Sequence, residues 1–307
     1  MEIREPERLT PVVGEADVIV VGSGPGGLSA AIAAARAGVS VILIERFGCF
    51  GGNITSVGVE GFAWYRHEKT IEAGGLAFEY EQRAIESNAA VPESQSKSYE
   101  LDSEGFKVVA DNLVLKAGVR PMLHRAFCAP ILDGDEIKGV ITESKAGREA
   151  IIGKIIIDAT GDADVARRSG VKVFKNKKED MISASVMFHM SGVNKEEFMN
   201  EIERDPQKYS DWSDKNWQVQ TSGKEDDMFS PFLRKPFEKA KDSGLIDSDL
   251  QTISGTWGAI HDSGELTYLN LVHLNGIDGT DPESLTCLLY TSPSPRDRTR
   301  SRMPSSA

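Results

Sequence analysis

The sequence predicts an α/β fold, a mainly parallel sheet flanked by helices, followed by a partial α+β domain. Three observations carry this expectation. The β-branched run "VIVV" at residues 18–21 leads through a glycine-rich turn into an alanine-rich stretch and then a second apolar run, "VILI". Near residue 155, "KIIIDATGDADVARRSGV" repeats the order strand, turn, short helix. After Phe174 the chain turns polar and punctuated, with no long periodic run, which marks a second domain.

The elements follow in order. "MEIREPERLTPVVGEAD" is charged and has no apolar core of the signal-peptide kind, so residues 1–15 read as an N-terminal extension. Val18 to Val21 form a continuous apolar strand, as a parallel strand buried on both faces requires. Gly22, Gly24 and Gly27 match GxGxxG, and Leu28 to Ala37 reads as a helix that Gly38 ends. Ser40 to Ile44 is the second strand, with Glu45 at its end. Gly22 permits the tight turn, Gly24 allows a pyrophosphate close to the backbone, and Gly27 lets helix and strand touch. Free amides at the helix start attract the diphosphate, and Glu45 can accept from ribose hydroxyls.

The fingerprint alone does not choose between NAD and FAD; two later segments do. "ERFGCFGGNITSVG" places Gly51-Gly52 just after Glu45, where small residues let the chain pass an extended cofactor. The strand Ile155–Ile157 runs into Asp158-Ala-Thr160-Gly161-Asp162, with a helix from about Ala163 to Ser169 and Gly170 at its end. Between them, period-2 stretches meet at Asp133-Gly-Asp135, a hairpin signal.

With "DVIVVGSGPGG", "GGNIT" and "IDATGD" in this order, the chain resembles FAD-dependent oxidoreductases of the two-dinucleotide-binding-domain type. It is most similar to a bacterial family that begins DVIVVGGGPAG and continues with a GGxxT loop and an IDATGD strand, related to the flavoproteins of heterodisulfide reductase-type complexes. The resemblance implies a Rossmann-like FAD-binding domain with a three-layer ββα sandwich and β-meander over residues 16–173. A partial α+β cap or substrate domain over 174–286 follows. It also implies that Gly22, Ser23, Gly24, Pro25, Gly26 and Gly27 wrap the diphosphate, Glu45 holds the adenosine ribose, and Arg46 lies by the adenosine half. Gly52, Asn53 and Thr55 would run toward the flavin. Ala126, Phe127 and Cys128 would carry a strand along the adenine, and Thr160, Gly161 and Asp162 would form the crossover turn beside the cofactor.

In the second half, "SASVMFHMSGV" reads as one strand, a helix follows near Lys195 to Glu203, and "ELTYLNLVHLNGIDGTDPESLT" reads as a strand and turn. His261 and His273 are the candidate proton donors to a substrate, each weighed against an ordinary surface or core role. His124 is expected to be structural and His189, in an apolar run, a satisfied core residue. Cys49 stands alone where a flavin disulfide reductase needs a cysteine pair, so it reads as a small buried residue. "EYEQRAIE" and "NKKED" read as solvated faces.

A net charge of −12 disfavours nonspecific binding to nucleic acid or anionic membrane. The most apolar region, Val18 to Ile44, is broken by "GSGPGG" and Arg36, so no membrane span is expected. Three scattered cysteines support neither a disulfide framework nor a metal centre, and they fit a reducing cytoplasm. The ending "CLLYTSPSPRDRTRSRMPSSA" is basic and serine-rich, unlike the rest. Back-translated, it resembles a sequencing-library adapter, so residues 287–307 are expected to be a non-native, disordered tail after a truncation near Thr286. A chain lacking the family's final strand and helix is expected to bind FAD poorly.

The resulting functional expectation is an FAD-dependent oxidoreductase that passes a hydride between a small organic substrate and flavin N5, with an unidentified electron acceptor. The alternatives are a flavin electron-transfer subunit of a heterodisulfide reductase-like complex, a protein using FAD structurally, and an NAD-only dehydrogenase.

Overall fold

The computed structural model describes residues 3, 4, 6–61, 66–67, 71–72, 74–92, 99–204, 239–245, 260–269 and 273–291. Its strands are β1 (Val12–Val21), β2 (Val41–Ile44), β3 (Arg66–His67), β4 (Ile71–Glu72), β5 (Ala90–Pro92), β6 (Tyr99–Leu101) and β7 (Arg120–Met122). Then follow β8 (Ala126–Asp133), β9 (Glu136–Ser144), β10 (Gly147–Asp158), β11 (Ala184–Ser185), β12 (Phe188–Met190), β13 (Leu266–Leu269) and β14 (His273–Leu274). The helices are α1 (Pro25–Arg36), α2 (Leu76–Glu86), α3 (Ser103–Lys116), α4 (Asp164–Arg168), α5 (Lys195–Arg204) and α6 (Pro282–Thr291). The chain divides into two compact units: Met1–Val57, Gly74–Ala90 and Leu101–Phe174 in the first, and Gly58–Ala73, Val91–Glu100 and Lys175–Ala307 in the second.

The first unit is α/β. Its sheet has the order β7-β2-β1-β10-β9-β8. β1 is paired in parallel with both β2 and β10, Val18 opposite Val41 and Ile155. Burial on both faces explains why the strand reads as an unbroken apolar run. Ile19, Val21, Ile42 and Ile44 join Met122, Val140, Ile151 and Val165 in one core cluster. Val18, Val20, Val41 and Leu43 alternate with them and are equally buried. The meander is continuous with the parallel strands, because β10 pairs with β9 over Gly147–Ile152 and with β1 over Ala150–Asp158. Its first hairpin turns at Gly134, with φ +58°, as the Asp-Gly-Asp signal indicated.

Two boundaries are corrected here. β1 begins at Val12, so the division at residue 15 falls inside a strand: Val12 lies opposite Ala150 and Glu15 opposite Ile152. Gly14 and Glu15 interrupt the apolar pattern, and the distant partner β10 supplies what the local sequence lacks. α1 begins at Pro25 rather than Leu28, because proline presets φ for a first helical turn and needs no amide partner. α1 packs against β1, β2, α2 and α3. Ser29 of α1 hydrogen-bonds the Tyr80 hydroxyl at 2.9 Å, and the Tyr80 ring meets Phe106 edge-on, centroids 6.0 Å apart. Burial pushes the Tyr80 phenol up to about 12, against the opposing hydrogen bond from Ser29. The run "EYEQRAIE" is not wholly solvated, since Tyr80, Glu81 and Ala84 are buried along one face of α2.

The second unit pairs β11 with β14 and β12 with β13. The single strand expected at "SASVMFHMSGV" is divided between β11 and β12, each with a different partner. Ile260, Leu266 and Leu269 form its core cluster, with Phe188, Val193 and Phe198 packed against it. The unit also takes residues 58–73 and 91–100, which a contiguous division at Phe174 did not anticipate. α6 runs through Thr291, so the disordered tail expected from Cys287 is corrected: its boundary falls inside a helix. Cys287 to Tyr290 are helix-compatible apolar residues that extend a helix begun at Pro282. Residues 292–307 lie outside those described. Among the described residues no helix is long and apolar enough to cross a membrane.

Candidate functional site

Four glycines at the end of β1 divide into two kinds. At Gly22, φ is +96° and a Cβ would lie 2.3 Å from the Ala159 carbonyl oxygen. At Gly27 a Cβ would lie 1.9 Å from the Gly22 oxygen and 3.1 Å from the Ala159 Cβ. These two let β1, α1 and the end of β10 touch. At Gly24 and Gly26 a Cβ would meet nothing within 4 Å. Gly24 is the N-cap of α1, φ −60° and ψ 177°, and supplies no side-chain cap. The opening of the helix therefore carries amides that no cap takes, next to space that no side chain fills. That combination suits an anion at the positive end of the helix dipole.

The second glycine loop lies against the first. Gly51 N donates to Ser23 O at 2.9 Å. Gly52 has φ +55°, and a Cβ there would lie 2.6 Å from the Gly24 Cα. Asn53–Val57 then form one π-helical turn. Within it Thr55 is buried and its hydroxyl donates to Phe50 O at 2.6 Å, while Asn53 stands at the surface. Cys49 is half-buried, its Sγ 3.9 Å from Thr55 Oγ1 and 3.7 Å from Ser56 Oγ.

Glu45 closes the site at the end of β2 and is 5% exposed. Oε2 accepts from Ser23 N at 2.9 Å and Ser23 Oγ at 2.5 Å, and Oε1 accepts from Phe47 N at 2.9 Å. Arg125 N donates to Glu45 O at 2.9 Å, which brings the start of β8 and its exposed Ala126 beside the carboxylate's strand. The Phe127 side chain packs on the core cluster, with the Arg168 guanidinium 5.6 Å from its ring centroid. Arg46 is exposed and stacks over Phe47 at 4.7 Å.

The turn after β10 is built by Asp158, a residue the sequence reading left without a role. Its Oδ1 accepts from Thr160 N at 3.1 Å and Thr160 Oγ1 at 2.7 Å, and its Oδ2 from Ala166 N at 2.9 Å. Thr160 Oγ1 in turn accepts from Asp164 N at 3.0 Å. Gly161 takes φ +92°, and Asp162 is exposed. The signal was present in the Asp-x-Thr spacing, which favours such local side-chain bonds to the backbone. The fold thus gathers Gly22–Gly27, Gly51-Gly52, Glu45 and the Ala159–Thr160 turn, and leaves Arg46, Asn53 and Asp162 at the surface. A cradle of bare backbone beside uncapped amides, with a carboxylate at its edge, fits the diphosphate and ribose of a dinucleotide.

The histidines distribute differently. His124 takes φ +56° and its ring abuts Gly48, where a Cβ would lie 2.7 Å from Cε1. His261 belongs to the turn before β13, its N donating to Glu265 O at 2.8 Å. His273 pairs with Ser185 in the β11–β14 ladder, and its side chain lies outside the described residues. His189 is not a core residue: it is 33% exposed, with Nε2 4.0 Å from the buried Glu60 carboxylate and Nδ1 3.6 Å from Glu265. β12 belongs to a two-stranded sheet, and both His189 and its neighbour Met190 are exposed there, so the apolar run around His189 does not enclose it. Among the described residues no group of histidine, cysteine or carboxylate side chains could hold a metal ion.

Known proteins similar to this chain include enzymes of several kinds. Thiamine thiazole synthase of Saccharolobus islandicus is 30% identical over 171 residues, covering 52% of this chain and 60% of the synthase. Digeranylgeranylglycerophospholipid reductase 2 of Methanopyrus kandleri is 30% identical over 192 residues, covering 60% of this chain and 46% of that protein. A geranylgeranyl bacteriochlorophyll reductase-like protein of Thermoplasma acidophilum superposes with a TM-score of 0.47 at 23% identity, covering 59% of this chain and 48% of the other. The chain thus spans less than two thirds of the length of these relatives. The family model for FAD dependent oxidoreductases matches residues 17–284, well over half of the chain. With glycine turns, acidic strand end and crossover turn all inside that match, the chain belongs to the FAD dependent oxidoreductase family, whose cofactor is FAD.

Proposed function

We propose that this protein passes a hydride between a small organic substrate and N5 of FAD, with a separate electron acceptor, in the cytoplasm. One observation carries the reading: two glycine loops, joined by the 2.9 Å bond from Gly51 N to Ser23 O, lie so close that Gly52 has no room for a Cβ against Gly24, beside the uncapped start of α1 and with Glu45 at their edge. When bound, the flavin supplies the redox chemistry. The chain's own residues bind and orient it: the α1 amides face the diphosphate, Glu45 faces the ribose, Gly24 leaves room for the cofactor's approach, and Gly52 lets the second loop lie against the first. Both curated relatives are named for enzymes, which supports catalysis over the electron-transfer alternative.

The test is a titration of the protein with FAD and NAD, followed by anaerobic addition of trial donors. Saturable FAD binding and bleaching of the flavin by one donor class are expected. Preference for NAD, or an FAD that no donor bleaches, would refute the proposal.

A further inference from the structure

We propose that Ser23 is a positioning residue for FAD: its buried hydroxyl locks the Glu45 carboxylate in the orientation that receives the adenosine ribose. The inference rests on the FAD-binding reading and concerns only how this chain's residues achieve it.

Ser23 is fully buried and Glu45 nearly so. An ionised carboxylate has about four acceptor sites, two on each oxygen. Ser23 fills both sites on Oε2, through its amide at 2.9 Å and its hydroxyl at 2.5 Å, and Phe47 N fills one on Oε1. One acceptor site on Oε1 remains for a ribose hydroxyl. The related pattern GGGPAG carries glycine at this position, and glycine can supply the amide but not the hydroxyl. Ser23 also receives Gly51 N on its carbonyl, so one residue ties the first turn, the end of β2 and the second glycine loop together.

Without the hydroxyl, the carboxylate is held on Oε2 by a single bond and must be ordered when the nucleotide arrives. Ordering one such side chain weakens binding about 3- to 10-fold. The experiment measures FAD and ADP affinity by calorimetry for the full chain and for Ser23→Ala and Ser23→Gly, each also combined with Glu45→Gln. Urea unfolding of each apo-variant is run alongside. Both single variants are expected to lose about 3- to 10-fold for FAD and for ADP alike, because ADP carries the same ribose. In the Glu45→Gln background the same changes are expected to cost less than about twofold, since Ser23 acts through that carboxylate.

Unchanged FAD and ADP affinity in both single variants would overturn the assignment. So would an equal loss with and without Glu45, or unfolding of both variants, since either outcome makes Ser23 a purely structural residue. A parent chain that binds neither ligand refutes the FAD reading itself, and this inference with it.

Discussion

Gly24 and Gly27 stand three residues apart in one turn, and the structure assigns them opposite sensitivities. Alanine at Gly27 puts a methyl 1.9 Å from the Gly22 oxygen and 2.9 Å from its carbonyl carbon, both backbone atoms that cannot swing aside. The turn must open or α1 must lift from β1. Overpacking of this kind costs about 1–3 kcal/mol, and contact with backbone places Gly27→Ala at the upper end. Alanine at Gly24 meets nothing within 4 Å and keeps an ordinary φ of −60°, so folding should change by less than about 0.5 kcal/mol. Its methyl instead occupies the space through which a diphosphate reaches the α1 amides. Loss of one hydrogen bond to a charged group, about 1.5–3 kcal/mol, corresponds to roughly 10- to 100-fold weaker FAD binding. Urea unfolding of the apo-protein and FAD titration of each variant separate the two effects. A Gly24→Ala protein that binds FAD like the parent would show that the diphosphate does not approach this turn. A Gly27→Ala protein that unfolds with the parent would refute the packing argument.

Three further outcomes follow from particular contacts. Gly26→Ala lies in the first turn of α1 with open space around the new methyl, so it should raise apo-stability by about 0.4–1 kcal/mol by restricting the unfolded chain, read from urea unfolding. Asp158→Ala strips three hydrogen bonds from the Thr160 turn and the start of α4 and should cost about 1–2 kcal/mol in urea unfolding. The raised Tyr80 pKa means the folded protein holds a proton that the unfolded chain loses between about pH 10 and 12. Stability should therefore fall as pH rises through that window, and Tyr80→Phe should flatten the decline in unfolding curves measured across it.

How much of this was legible in the sequence depended on whether the signal was local. The fingerprint glycines, the acidic end of β2, the Asp133-Gly-Asp135 hairpin and the helix closed by Gly170 were all read from neighbours in the chain, and the structure places them as elements of one sheet and its turns. Turn geometry and buried parallel strands leave marks within a few residues. The first six residues of β1, Val12 to Asp17, were not legible, because Gly14 and Glu15 break the pattern and only pairing with β10 makes them a strand. His189 was misread for a similar reason: an apolar run reports the faces of a strand but not which of them is covered.

The sequence by itself determined the α/β class and the glycine-rich turn, since each rests on residue types whose conformational or packing limits act locally; FAD entered through the family resemblance that the motifs carry. Tertiary structure alone decided that Gly52 lies against Gly24, that Ser23 holds Glu45, that Asp158 builds the crossover turn, and that residues 58–73 and 91–100 join the second unit. Those facts are distances between segments far apart in the chain. They are fixed by which surfaces pack together, and no window of neighbouring residues records that.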